Sequence, residues 1–174
     1  MVIWTTFRPD IRMSNYKRSI SQWIQLICLI TSCYNLGVIL MTQLGYRLWA
    51  KVGRAEFQDY HKAWWYGWSG IQPLSFPSGI VATLGALIQL RLRSPRVPAW
   101  LVWVNISVWI QAWIMTALWW GRWQAQLQQT RQEDGSIDPL YHRLMTTHWL
   151  RVALFAAGAV LQFWMAVKSF LTRD

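Results

Sequence analysis

Chemistry in this chain could come from three histidines, one awkwardly placed arginine and a surplus of tryptophan. An imidazole can take up a proton or a metal ion, and a guanidinium can stabilise a developing oxyanion. His61 stands one turn before Trp64 and Trp65. His142 and His148 share what reads as one helix, but at that spacing they point about 240° apart. Neither an HxxxH nor an ExxH pair occurs. A metal or haem would need ligands from two helices, with His61, His142 and Glu56 or Asp59 as the available set. Ordinary hydrogen bonding by interfacial histidines is the simpler reading, and no metal site is assigned. Arg151 lies one turn inside the last of the expected membrane spans (about 147–168), where a cation costs about 2.5–3.5 kcal/mol at mid-bilayer and less near the edge. It must either snorkel to the headgroups or pair with a carboxylate, Glu56 or Asp59.

Tryptophan is the compositional oddity, with 15 in 174 residues. Trp64, Trp65 and Trp68 cluster at the start of one apolar run, and Trp119, Trp120 and Trp123 at the end of the next. Such rings are enriched at headgroup depth, so an aromatic belt accounts for both clusters. Trp109, Trp113 and Trp120 carry the pattern deeper than a belt requires, along one helical face. That extension favours a wall for a flat apolar ligand such as a quinone, a pigment or an aromatic metabolite. The expected ligand-binding residues are Trp64, Trp65, Trp68, Trp109, Trp113 and Trp120, with Glu56 beside them.

The elements that position these residues are legible from charge. Hydrophobic residues make up 54% of the chain and charged residues 14%, about half the charged share of a soluble protein. Ser19 to Tyr46, Ala63 to Leu90 and Val97 to Gly121 carry no charge at all, and each is long enough for a membrane-spanning helix. A fourth run, Val152 to Val167, is shorter, but Arg151 and Lys168 can snorkel at its ends and Trp149 and Trp164 mark its borders. The expected fold is all-α and integral to a membrane: a four-transmembrane-helix bundle with a short interfacial helix in the first outer loop. Spans fall at about 20–45, 64–90, 98–121 and 147–168, between a basic tail (1–18) and a short C-terminal tail (171–174), in a single domain (19–170).

Orientation follows the lysines and arginines. Both tails and the second loop hold nine of them, from Arg8 to Arg173, against seven on the opposite side. The excess places both termini in the cytoplasm. The formal charge of +10 is spread over separate short segments and meets anionic lipid headgroups, so nucleic acid is not a partner. No acidic residue falls within a span, which leaves a proton relay or cation channel without support. Asn35, Gln43, Gln72, Asn105, Gln111 and Gln162 are expected to glue helices together.

Local signals fill in the connections. Arg47 to Lys62 reads as the interfacial helix, and Pro73 and Pro77 should kink the second span. The third helix should continue as a polar extension to Gln132. Asp138 and Pro139 then start the last helix, Asp as cap and Pro in the first turn. Cys28 and Cys33 lie about 140° apart on one helix and cannot bridge. The apolar run continues past Cys33, so the first span reads as an uncleaved signal anchor, with Met13 as an alternative start.

With these segments in view, the chain resembles a group of small bacterial four-span membrane proteins, loosely similar to the anthrone-oxygenase-like membrane proteins. The resemblance is carried by the stretch from Tyr46 to His61, ending in Tyr60-His61, by His142 to Arg151, and more weakly by Trp113 to Leu118. Where that group often has a further His after Tyr-His, this chain has Ala63-Trp64-Trp65; where it carries Asn before Trp, this chain has His148. The resemblance implies a bacterial inner-membrane location. It also implies an oxidoreductase or oxygenase-like activity, in which His61 or His142 would act as general base or ligand and Arg151 would stabilise an oxyanion.

Three readings of function therefore stand. The first is a protein that binds an apolar aromatic or lipid-like partner at its outer face, without chemistry of its own. The second is the oxidoreductase; the third is a structural subunit or assembly factor of a larger membrane complex. No cofactor is assigned under any of them.

Overall fold

The computed structural model describes residues 15–66, 68 and 70–170. The tail with Arg8, Arg12 and Met13, and residues 171–174, lie outside the described residues. The elements are α1 (Asn15–Trp49), α2 (Phe57–Tyr66), α3 (Ile71–Leu92), α4 (Ala99–Met115), a π turn (Thr116–Trp120), α5 (Gly121–Gln126) and α6 (Pro139–Phe170). Among the described residues there is no strand, only an isolated bridge between Arg131 and Ile137. Four stretches are long and apolar enough to cross a membrane: Tyr16–Trp49, Phe57–Leu92, Ala99–Gln126 and Pro139–Phe170.

These stretches pack in a ring. α1 lies along both α3 and α6, and α4 closes the ring against the same two helices. At the end nearer the termini, Ala82 and Ala86 of α3 admit Leu101, Val102, Ile106 and Trp109 of α4 and Met165 of α6. There three glutamine side chains meet. Gln25 Nε2 donates to Gln162 Oε1 at 2.8 Å, and Gln89 Nε2 donates to Gln25 Oε1 at 3.1 Å and Gln162 Oε1 at 3.3 Å. At the α2 end the core is aromatic, built from Tyr46, Trp49, Phe57, Trp120 and Tyr141 with Leu127 and Leu144. Only 28–39% of the apolar 18-residue window within each stretch is buried. Leu40, Met41, Leu84, Ile114, Val160 and Phe163 point outward, and apolar surface on that scale calls for an apolar solvent.

Three connections differ from the sequence expectation. The first loop is not one helix from Arg47 to Lys62. α1 runs on to Trp49, whose ring is fully buried, and the chain turns there with Lys51 and Val52 amides donating to Leu48 and Trp49 carbonyls. α2 then starts at Phe57 and buries Phe57, His61 and Trp65 on one face, as a four-residue spacing allows. The second span breaks before Ile71, so Pro73 falls in the first turn of α3, where a missing N–H costs nothing. The two-proline kink is thus replaced by a break ahead of Pro73 and one interior proline, Pro77. The third helix ends at Gln126 instead of Gln132, because Leu127 turns extended and buries into the aromatic core.

The last helix begins as expected. Asp138 Oδ1 accepts from the Leu140 and Tyr141 amides at 2.8 and 3.2 Å, and Pro139 opens the first turn. Cys28 is buried and Cys33 exposed, and both thiols are free.

Candidate functional site

Polar side chains form a connected path inside the aromatic α2 end. His61 is held by the face of α2 that packs on Trp49, with ring centroids 5.0 Å apart. Its Nε2 meets Gln124 Oε1 at 2.8 Å, and Gln124 Nε2 donates to the Tyr46 hydroxyl at 2.5 Å. The Tyr141 hydroxyl donates to the Tyr46 carbonyl, tying α6 to α1. Tyr46 also packs edge-on against His148, at 4.8 Å between centroids. His148 Nδ1 meets Gln43 Oε1 at 2.8 Å, while Gln43 Nε2 donates to the Met145 carbonyl at 3.3 Å. An amide oxygen only accepts, so Nδ1 carries the proton in this arrangement and Nε2 holds a lone pair. That Nε2 is buried and has no partner among the described residues.

A widened helical turn sets the other wall. The Gly121 amide donates to the Thr116 carbonyl, five residues back. A Cβ at 121 would stand 2.8 Å from that oxygen, so glycine is what admits the wide turn. The extra residue puts Thr116, Trp120 and Gln124 all on the buried side at a spacing of four, and such turns recur at functional sites. Trp120 donates from Nε1 to Thr147 Oγ1 at 3.2 Å, which fixes its ring beneath Arg151.

Arg151 is 5% exposed. Its guanidinium carbon lies 5.3 Å from the Trp120 ring centroid, a cation–π geometry. No carboxylate among the described residues reaches it. Arg54 pairs with Glu133 at 3.3 Å, and Glu56 and Asp59 are exposed. The expected pairing of Arg151 with Glu56 or Asp59 is not formed, because the buried face of α2 presents Phe57, His61 and Trp65 and turns its acids outward. The Arg151 Nε has no hydrogen-bond partner among the described residues. Its side chain instead borders a cavity of about 20 Å³ between α1, α3, α4 and α6, with Asn35, Ser75, Trp109, Trp113 and Thr116 around it.

A second, larger space lies outside the ring. Tyr34, Gly37, Val38 and Met41 of α1, Trp64 of α2, and Ile71 and Leu74 of α3 line a groove of about 520 Å³. The six-membered ring of Trp64 abuts α1 at Gly45, where any Cβ would come within 2.8 Å of the indole.

The residues singled out from sequence thus divide. His61 is linked through Gln124 and Tyr46 toward Arg151, whereas His142 is exposed and its ring takes no part in that path. Trp109 and Trp113 wall the cavity, Trp120 underlies Arg151, and Trp64 walls the groove. Trp65 is buried against Tyr66, and Trp68 is 98% exposed. Trp113 pairs with Phe76 and donates to Thr83 Oγ1 at 2.9 Å, so the expected facing of Trp65 or Trp68 on Trp113 or Trp120 does not occur. The residue missed was His148. Its three-residue spacing from Arg151 puts both on one helical face, and that was the available signal. No group of three or more His, Cys, Asp or Glu able to hold a metal occurs among the described residues. No family model, no curated protein and no solved structure matches the chain.

Proposed function

We propose that this is a four-span bacterial inner-membrane protein, termini in the cytoplasm and α2 outside, that binds an apolar ligand between α1 and α3. The observation that carries this reading is the groove. At about 520 Å³ it falls within the usual range of ligand sites, and its walls are almost wholly apolar with two aromatic faces, Tyr34 and Trp64. Gly37 leaves its floor low: nothing lies within 4 Å of where a Cβ would stand. A quinone, a pigment or a lipid chain matches that lining, and the excess of basic residues on the tails and second loop supports the orientation.

The test is to fill the groove from its floor. Wild type and Gly37→Leu are purified in mild detergent, and organic extracts are compared by mass spectrometry and absorption. Wild type should yield a specific apolar molecule at near-stoichiometric amount, and the variant should lose it while melting at a similar temperature. Extracts containing bulk lipid alone, or equal retention by the variant, refute the reading.

One observation favours a second reading, the oxygenase-like enzyme. The lone pair on His148 Nε2 is buried in the same end of the molecule as the Arg151 cation. A base beside an oxyanion-stabilising group is the pair that proton abstraction from an anthrone-like substrate requires. In that reading His148 takes the role that the resemblance suggested for His61 or His142.

A further inference from the structure

We infer that the cavity between the four helices is an anion site, in which Arg151 and Trp109 hold an acceptor-only group of halide or carboxylate size. The inference stands apart from the groove, which lies on the other side of the α1–α3 seam.

Charge is the first support. A guanidinium that is 5% exposed, among apolar helices and with no carboxylate of the described residues on it, is costly unless something neutralises it. The Trp120 face offsets part of that cost, but a ring quadrupole does not accept the guanidinium's in-plane N–H bonds.

The second support is the accounting of donors around the cavity. Thr116 spends its hydroxyl on the Ala112 carbonyl, Ser75 on the Ile71 carbonyl, and Asn35 its amide on the Thr31 carbonyl. Trp113 spends its N–H on Thr83. Among the residues bordering the cavity, the fully buried donors with no partner among the described residues are Arg151 Nε and the indole N–H of Trp109. Both are donors only. Two unpartnered buried donors bordering one cavity, one of them cationic, favour an acceptor there and most of all an anion.

Size narrows the class. About 20 Å³ admits one water-sized group and no ring. Chloride fits, as does one oxygen of a carboxylate, which a guanidinium N–H can bind. Such a group could arrive as a free ion or as the acidic head of a larger molecule, and the experiment separates the two.

Protein in neutral detergent is melted at fixed ionic strength while gluconate is exchanged for chloride or formate. Wild type should melt at rising temperature, saturably, as either small anion is added. Trp109→Phe keeps the ring and loses the donor, and should need about tenfold or more anion for half the effect. Arg151→Gln should not respond; if it fails to fold, Trp109→Phe carries the comparison. Denaturing extraction then identifies the source. A co-released organic acid, with chloride acting only after its removal, assigns the site to the head of a larger ligand. No acid, with chloride acting from the outset, assigns it to a free ion. No response from wild type together with no extracted acid overturns the inference, and so does an undiminished response in both variants. Gly37→Leu should leave the anion response intact, which keeps failure of the groove reading distinct from failure here.

Discussion

Gly121→Ala puts the widened turn of the third span to a test of sign. In an ordinary helix this substitution stabilises, by about 0.8–1 kcal/mol, because alanine loses less backbone freedom on folding. Here the new Cβ would stand 2.8 Å from the Thr116 carbonyl oxygen. That neighbour is backbone and cannot swing aside as a side chain would. Relief needs a shift of the helix itself, and forced overpacking of this kind costs about 1–3 kcal/mol. The net is a loss of about 0–2 kcal/mol. Gly37→Ala supplies the internal reference: nothing lies within 4 Å of its Cβ, so it should gain about 1 kcal/mol from propensity alone. The two variants should therefore separate by about 1–3 kcal/mol. Unfolding in detergent, followed by helical circular dichroism, measures both. If the turn instead closes to an ordinary one, the residues beyond it rotate by about 100°, Gln124 leaves His61, and the anion response at Arg151 falls. A Gly121→Ala protein stabilised as much as Gly37→Ala, with that response intact, would refute the reasoning.

Two further substitutions probe the α2 end. Tyr46→Phe removes the acceptor of the Gln124 amide and strands a buried donor, so the protein should lose about 1–3 kcal/mol in the same unfolding assay. Asp138→Ala removes the cap on the Leu140 and Tyr141 amides and should cost about 1 kcal/mol, with Asp138→Asn recovering most of it.

What could be read from sequence was whatever depends on charge and on local backbone rules. Uncharged runs located the four long apolar stretches, and Asp138-Pro139 located the start of α6. Gln43, Asn35 and Gln162 do join helices or brace them, whereas Gln111 points outward and Asn105 is buried with neither amide atom partnered. The widened turn was invisible, because one extra residue inside a continuous apolar run leaves the composition of that run unchanged. It nonetheless decides that Trp120 and Gln124 both face inward. Charge complementarity pointed Glu56 and Asp59 toward Arg151. An aromatic face took that position instead, a competition between partners that spacing along the chain cannot rank. His148 was passed over because it was compared with His142, when its relevant neighbours, Tyr46 and Gln43, come from α1.

The three glutamines near the termini bear on how the chain is made. Gln25 and Gln89 come off the ribosome long before Gln162, yet the shortest bond of the set, at 2.8 Å, joins the first to the last. A chain halted before α6 holds its earlier amides joined only to each other at 3.1 Å, with the bonds to Gln162 unmade. Arrival of the final helix completes the set. Completeness of the chain is thereby a condition of settling this end of the core, and marks an unfinished chain as different from a finished one before any ligand is encountered.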